Sequence, residues 1–264
     1  MIRAFFICML FVLLSVSDAV FAQKVTLDYF FNHEVHNVAG VSQRYHYLWT
    51  DKANSGFSIW GDILKKQGAM LDTLGIAPTV ENLNASAVYI IVDPDTKKEN
   101  PNPNYITVQD ADQIAKWVKA GGVLVMMAND SANVELPHFN ILAARFGMHF
   151  NDDLQNHVID DAHFSDGTII IHNNAIFKNT RKVFLKDVCS IGISGNVKPA
   201  LLAANGAVIA VTAKYGKGTV FAVGDPWLYN EYVNGRLPAG YENDIAANDL
   251  AKWLLLQVPS KTIN

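Results

Sequence analysis

Three apolar runs limit the fold most: Val88–Val92 (VYIIV), Val123–Met127 (VLVMM) and Val220–Val223 (VFAV). Each is short, rich in β-branched residues and without a polar face. Such runs read as strands buried on both sides. Helical segments stand between them. Strands that alternate with helices imply right-handed crossovers and a mostly parallel sheet. The expected fold is α/β and doubly wound, a single domain over residues 23–264.

The helices carry their own signals. Phe57–Gln67 places Phe57, Ile59, Trp60, Ile63 and Leu64 on one side, with Asn54-Ser55-Gly56 as the expected cap and Gly68 as the stop. Thr107 and Asp110 form a capping box ahead of Ile114, Trp117 and Val118. Asn243 or Asp244 is expected to cap a last helix that turns Ile245, Leu250, Trp253, Leu254 and Val258 inward. Lys24–Phe31 reads as a first strand and Ala69–Leu74 as another. Between them, Val35–Ser55 is a long connection without clear secondary structure. Its many aromatics argue against disorder. After Met148 the segments shorten, split by Asn, Asp, Gly and Ser. They read as antiparallel additions to the sheet edge, with a hairpin turn at Tyr215-Gly216-Lys217-Gly218.

The N-terminus has the pattern of a cleaved secretory signal over residues 1–22. Arg3 precedes the apolar run Ala4–Val16, and the small residues Val20 and Ala22 precede Gln23. A periplasmic or secreted location is expected. Cys8 lies in that segment, which leaves Cys189 alone in the mature chain and no disulfide framework. Cys189 reads as a buried small hydrophobe. Net charge is −4 with no Lys/Arg block, so nucleic acid and anionic membrane are poor partners. No phosphate-binding glycine loop and no nucleophile elbow follows any strand. No cofactor is expected.

Four strand ends carry the polar groups: Asn32-His33-Glu34, Asp93-Pro94-Asp95, Asn129-Asp130 and Gly224-Asp225-Pro226-Trp227. Parallel neighbours would bring all four to one edge, where open α/β sheets bind ligands. Close carboxylates drive their pKa values apart, which makes an acid and a base from similar side chains. The catalytic candidates are Asp93, Asp225 and Glu231, with His33 and Glu34 assisting. Asn37, Tyr45, Trp49, Asp130, Trp227 and Asn230 are candidates to position a sugar. His33-Glu34-Val35-His36 lacks the spacing that sets two imidazoles one helical turn apart, and no metal site is assigned.

Taken in order, YFFNHEVHN, YHYLWTDKANSGFSIWGDILKKQGA, VYIIVDPD, AGGVLVMMAND and YGKGTVFAVGDPWLYNEY resemble an uncharacterised glutamine-amidotransferase-like family. Its members occur in bacterial polysaccharide-degrading systems, alone or attached to unsaturated rhamnogalacturonyl hydrolases. The resemblance implies a flavodoxin-like sandwich and an association with pectin-type glycans. It does not imply amidotransferase chemistry, because no Cys stands in the elbow region from Asn129 to Ser131. Two functions follow. One is an exported hydrolase of pectin-type oligosaccharides working through paired carboxylates. The other is a non-catalytic carbohydrate-binding or accessory protein that keeps the crevice without the chemistry.

Overall fold

The computed structural model describes residues 22–259. The signal-peptide reading, Cys8 included, lies almost wholly outside the described residues.

The first half contains β1 (Lys24–Asp28), β2 (Val35–Val38), β3 (Val41–Arg44), α1 (Ser58–Lys66), β4 (Met70–Leu74) and α2 (Val80–Leu83). Then come β5 (Val88–Val92), α3 (Val108–Ala120), β6 (Val123–Met127) and α4 (Leu136–Ala143). Short strands follow: β7 (Met148–Phe150), β8 (Thr168–Ile170), β9 (Lys182–Phe184) and β10 (Ile191–Ile193). The chain closes with β11 (Lys198–Leu202), β12 (Val208–Tyr215), β13 (Gly218–Val223), α5 (Asn230–Val233) and α6 (Asn243–Gln257).

Seven strands form the central sheet in the order β11-β12-β13-β6-β5-β1-β4. From β13 to β4 every pairing is parallel, and β12 and β11 add antiparallel on the outer flank. The five parallel strands, counted along the chain, have the spatial order 2-1-3-4-5 of a flavodoxin-like sheet. The apolar runs are explained by cover on both faces. Ile90, Val125 and Phe221 pack under α1 and α6 with Trp60, Leu64, Leu250 and Leu254. Their neighbours Tyr89, Ile91, Leu124 and Met126 pack under α3 and α4 with Ile114, Trp117, Phe139 and Leu142.

Several sequence expectations hold. Thr107 and Asp110 form the full capping box on α3, and Gly216-Lys217 is the two-residue turn between β12 and β13. Others need correction. The first strand stops at Asp28, three residues before Phe31, because the Asp28 carboxylate accepts the N–H groups of Phe30, Phe31 and Asn32 and bends the chain out of the sheet. The Val35–Ser55 connection contains the β2–β3 hairpin, an exposed arm turned at Ala39-Gly40, where both residues have positive φ. The α1 N-terminus is not capped by Asn54-Ser55-Gly56: Asn230 does that work from across the chain. Asn243 does not cap α6 either. It lies buried, accepting from the Phe184 N–H and donating to the Phe184 carbonyl, which ties α6 to β9. Ile245 is left exposed. Of the late short strands, β11 and β12 extend the main sheet, while β7–β10 and β8–β9 form two small sheets of their own.

Candidate functional site

The parallel strands β13, β6, β5 and β1 are adjacent, so the four polar strand ends do share one edge. The topological switch point, where successive crossovers diverge, lies between β1 and β5. Asn32-His33-Glu34 and Asp93-Pro94-Asp95 stand there.

Asp93 is the centre of this edge. It is buried, at 4% exposure, and takes the left-handed conformation (φ 47°), which is unusual for a side chain other than Asn, Asp or Gly. Its N–H donates to the Met127 carbonyl, and its own carbonyl accepts from the Asn32 side-chain amide at 2.7 Å. Oδ2 accepts from the Tyr47 hydroxyl at 2.8 Å and from the Asn129 amide at 3.2 Å, while Oδ1 is buried with no partner among the described residues. Burial pushes the Asp93 carboxyl well above the usual range, with the field of Glu99 adding to it and the Tyr47 and Asn129 donors opposing it.

Tyr47 arrives by an unusual path. His46 and Tyr47 are both left-handed (φ 59° and 49°). The double turn sets the His46 Nδ1 2.8 Å from Oε1 of Glu34 and the Tyr47 hydroxyl on Asp93. With Asp93, that makes three left-handed non-glycine residues in one place; Asp and His enter this region more readily than most side chains, and Tyr47 carries the strain. Tyr47 is buried, and the fields of Asp93, Asp225 and Glu34 all act on its hydroxyl.

A second network lies beside it. Asp95 is buried, and its Oδ2 accepts from the Asn100 amide at 2.7 Å and from the His33 backbone N–H at 3.2 Å. The His33 Nδ1 is 3.3 Å from the same oxygen, and its Nε2 faces the Asn100 amide at 2.8 Å. The Asn104 amide donates to the Phe30 carbonyl. The Asn/Pro-rich loop after β5 thus folds down on the switch point. Burial also raises Asp95 and Glu99. Among the described residues, no group of three or more His, Cys, Asp or Glu is arranged to hold a metal ion.

Asp225 is buried at 4% exposure, and its Oδ2 has no partner among the described residues. Burial holds it well above the usual carboxylate range, and Asp187 pushes in the same direction. The glycine before it is needed for close approach, since a Cβ on Gly224 would sit 1.9 Å from the Cys189 carbonyl oxygen. Cys189 itself is buried, and burial pushes its thiol up.

The other named residues are placed elsewhere or are already engaged. Glu231 forms an ion pair with Arg236 and borders a separate groove of about 240 Å³ beside Phe164 and Tyr232. Asn230 spends its amide on helix α1 and the loop before it, donating to the Asp51 and Ala53 carbonyls and the Ser58 hydroxyl. Trp227 is wholly buried against Phe177, so neither face of its indole can stack on a sugar. Trp49 packs on Phe57 and Trp60 and donates to the Asp72 carbonyl in the middle of β4, on the flank of the sheet. Asn37 accepts from the Gly40 N–H in the hairpin turn. Asp130 organises its own loop through the Ala132 N–H and the Asn133 amide. Tyr45 stacks between His36 and His46, close to Glu34. The edge therefore unites Asp93, Asp225, Glu34, His33 and Tyr45. Asp95 and Asn129, which the sequence placed at polar strand ends, join them, and the structure adds Tyr47 and Asn100, which no local motif signals.

No protein-family model matches the chain, and a search of curated proteins finds no match. Solved structures do match. The mmIFT52 N-terminal domain aligns over 88% of this chain and 97% of its own, at a TM-score of 0.64 and 14% identity. The exo-β-1,4-mannosidase Op5Man5 from Opitutaceae bacterium strain TAV5 aligns over 91% of this chain, at a TM-score of 0.50 and 12% identity. A cold-adapted β-galactosidase from Rahnella sp. R3 aligns over 90%, at 0.52 and 14%. This chain spans only 37% and 32% of those two enzymes. At such identities each likeness is one of fold: a doubly wound, mostly parallel sheet with antiparallel strands on one flank.

Proposed function

We propose that the protein is an exported carbohydrate-binding protein for pectin-type glycans, carried on an amidotransferase-like frame without a nucleophile. One observation carries the binding reading over the hydrolytic one. Asp93 and Asp225 are both buried, and burial raises both carboxyls, so the two environments push these acids the same way and not apart. Hydrolysis by paired carboxylates needs one of them ionised while the other keeps its proton. Glu231, the third acid, is tied to Arg236.

A buried carboxyl accepts from sugar hydroxyls, and donates to them when it carries its proton. The motif resemblance supports the glycan class. The fold likeness to a mannosidase and a β-galactosidase agrees with it. The hydrolase remains the second reading because of Tyr47, whose hydroxyl bonds Asp93 within the fields of Asp225 and Glu34.

The test is to incubate the mature chain with rhamnogalacturonan and homogalacturonan oligosaccharides and to follow binding by calorimetry and products by mass spectrometry. Saturable binding with intact oligosaccharide is expected. Released sugar that disappears in Asp225→Ala would instead establish the hydrolase, and absence of both binding and products would refute both readings.

A further inference from the structure

A hollow lies away from the polar strand ends. It is a trough of about 630 Å³ between the loop at Gly195-Asn196, the start of β11, the β12–β13 hairpin and helix α6. That volume is within the range that holds small ligands. Its floor follows from sheet register. Lys198 pairs with Thr212, Thr212 with Phe221, and Lys214 with Thr219. Thr212 and Lys214 are two residues apart on one strand and share a face, so Lys198 and Lys214 are diagonal neighbours on that face. Trp253 of α6 stands over the same row, edge-on to Phe221 at 6.2 Å between ring centroids, and is partly exposed.

The charge of this trough is one-sided. Two lysines line it and no acid does. The Lys214 ammonium donates to the Thr219 hydroxyl at 2.7 Å and to the Gln257 amide oxygen at 2.9 Å, both uncharged. Its position is therefore fixed while its charge is left unneutralised among the described residues. Thr212, Thr219 and Asn196 add hydroxyl and amide groups. A protein of net charge −4 thus presents a cationic hollow with an indole wall.

We propose that this trough binds an acidic saccharide, with the carboxylate of a uronate residue between Lys198 and Lys214 and a sugar ring against Trp253. An aromatic wall meets the apolar C–H face of a pyranose, ammonium groups meet its carboxylate, and the threonine hydroxyls meet its hydroxyls. The saccharide class rests on the carbohydrate reading above, but the site differs from the edge of polar strand ends.

The probes are trigalacturonate, the neutral galactotriose and sodium sulfate, followed by tryptophan fluorescence and calorimetry. Trigalacturonate is expected to bind and change the emission, at least tenfold more tightly than galactotriose, with affinity falling as salt rises. Trp253→Phe should abolish the emission change. Lys198→Ala/Lys214→Ala should weaken the binding that the Trp253 emission reports at least tenfold, while exchange of Ile245, exposed on α6 outside the trough, for Ala leaves it unchanged. Circular dichroism and melting of each variant exclude loss of fold.

The inference is overturned if the trigalacturonate-induced emission change survives the double lysine change at unchanged affinity. It is also overturned if sulfate competes as well as trigalacturonate does, since that describes a simple anion site. If Tyr47→Phe removes trigalacturonate binding and the lysine variant does not, only the trough fails. If no pectic oligosaccharide binds at all, the carbohydrate reading fails with it.

Discussion

The side-chain oxygen of Asn230 accepts the backbone N–H of Ile59 at 3.0 Å, across 171 residues of sequence. Its amide nitrogen donates to the Asp51 and Ala53 carbonyls and to the Ser58 hydroxyl. One buried side chain therefore closes the first turn of α1 and pins the loop before it. Asn230→Ala should destabilise the fold by about 2–3 kcal/mol, since a cap and several buried partners are lost together. Asn230→Asp keeps the acceptor and loses the donors. Chemical denaturation of both variants tests this; an alanine effect below about 0.5 kcal/mol would mean that the bonds carry little.

Asp28 gives a pH dependence with a definite sign. Burial raises its pKa from 3.8 to about 6, against the opposing bonds from Tyr89 and the turn N–H groups. Between those values the folded state holds a proton that the unfolded state has released. Stability from this group is therefore complete below pH 3.8 and falls as pH rises to 6, by about 3 kcal/mol. Carboxyl NMR should place its midpoint near 6, and Tyr89→Phe, which removes the hydroxyl bond at 2.5 Å, should move it higher. Asp28→Asn should flatten this part of the stability profile.

Asp93 should tolerate amidation and little else. Asn adopts the left-handed conformation and brings no charge to a site whose burial disfavours one, so Asp93→Asn should change stability by less than about 1 kcal/mol. Asp93→Val adds β-branching to that left-handed backbone and strips the partners of Tyr47 and Asn129, a loss of at least ~3 kcal/mol. Thermal melts of the two variants, compared with Tyr47→Phe, check the ordering.

Much of this architecture was legible in the chain because burial on two faces writes itself as unbroken apolar runs. Val88–Val92 and Val123–Met127 could be nothing but interior strands, and parallel order then brought their polar ends together. The individual side-chain roles were not legible. Trp227 and Asn230 follow a strand end in sequence, yet one is core and the other is a remote helix cap. Whether a polar residue faces a crevice or satisfies a distant backbone group depends on tertiary contacts that local patterns do not encode. The left-handed turn at His46-Tyr47 is a further case, since nothing in YHYLW signals positive φ.

Gly224→Ala should be among the most damaging single methyl additions, costing about 3 kcal/mol, because the new carbon meets a backbone carbonyl and not a movable side chain. Cys189→Ala should not rescue it, since the opposing atom is the Cys189 carbonyl oxygen. In the native protein the Cys189 thiol should resist alkylation and react only after unfolding, which thiol labelling across a denaturant series reads directly.

The hairpin between β12 and β13 returns the chain to the edge opposite the buried acids, one strand length away, or roughly 20 Å. At that range two perturbations with no shared partner combine by simple addition. Substitutions at Lys214 and at Tyr47 should therefore behave as independent coordinates, and a double-mutant cycle between them should close to zero coupling. A non-zero remainder would measure how far the sheet itself transmits strain from one rim to the other.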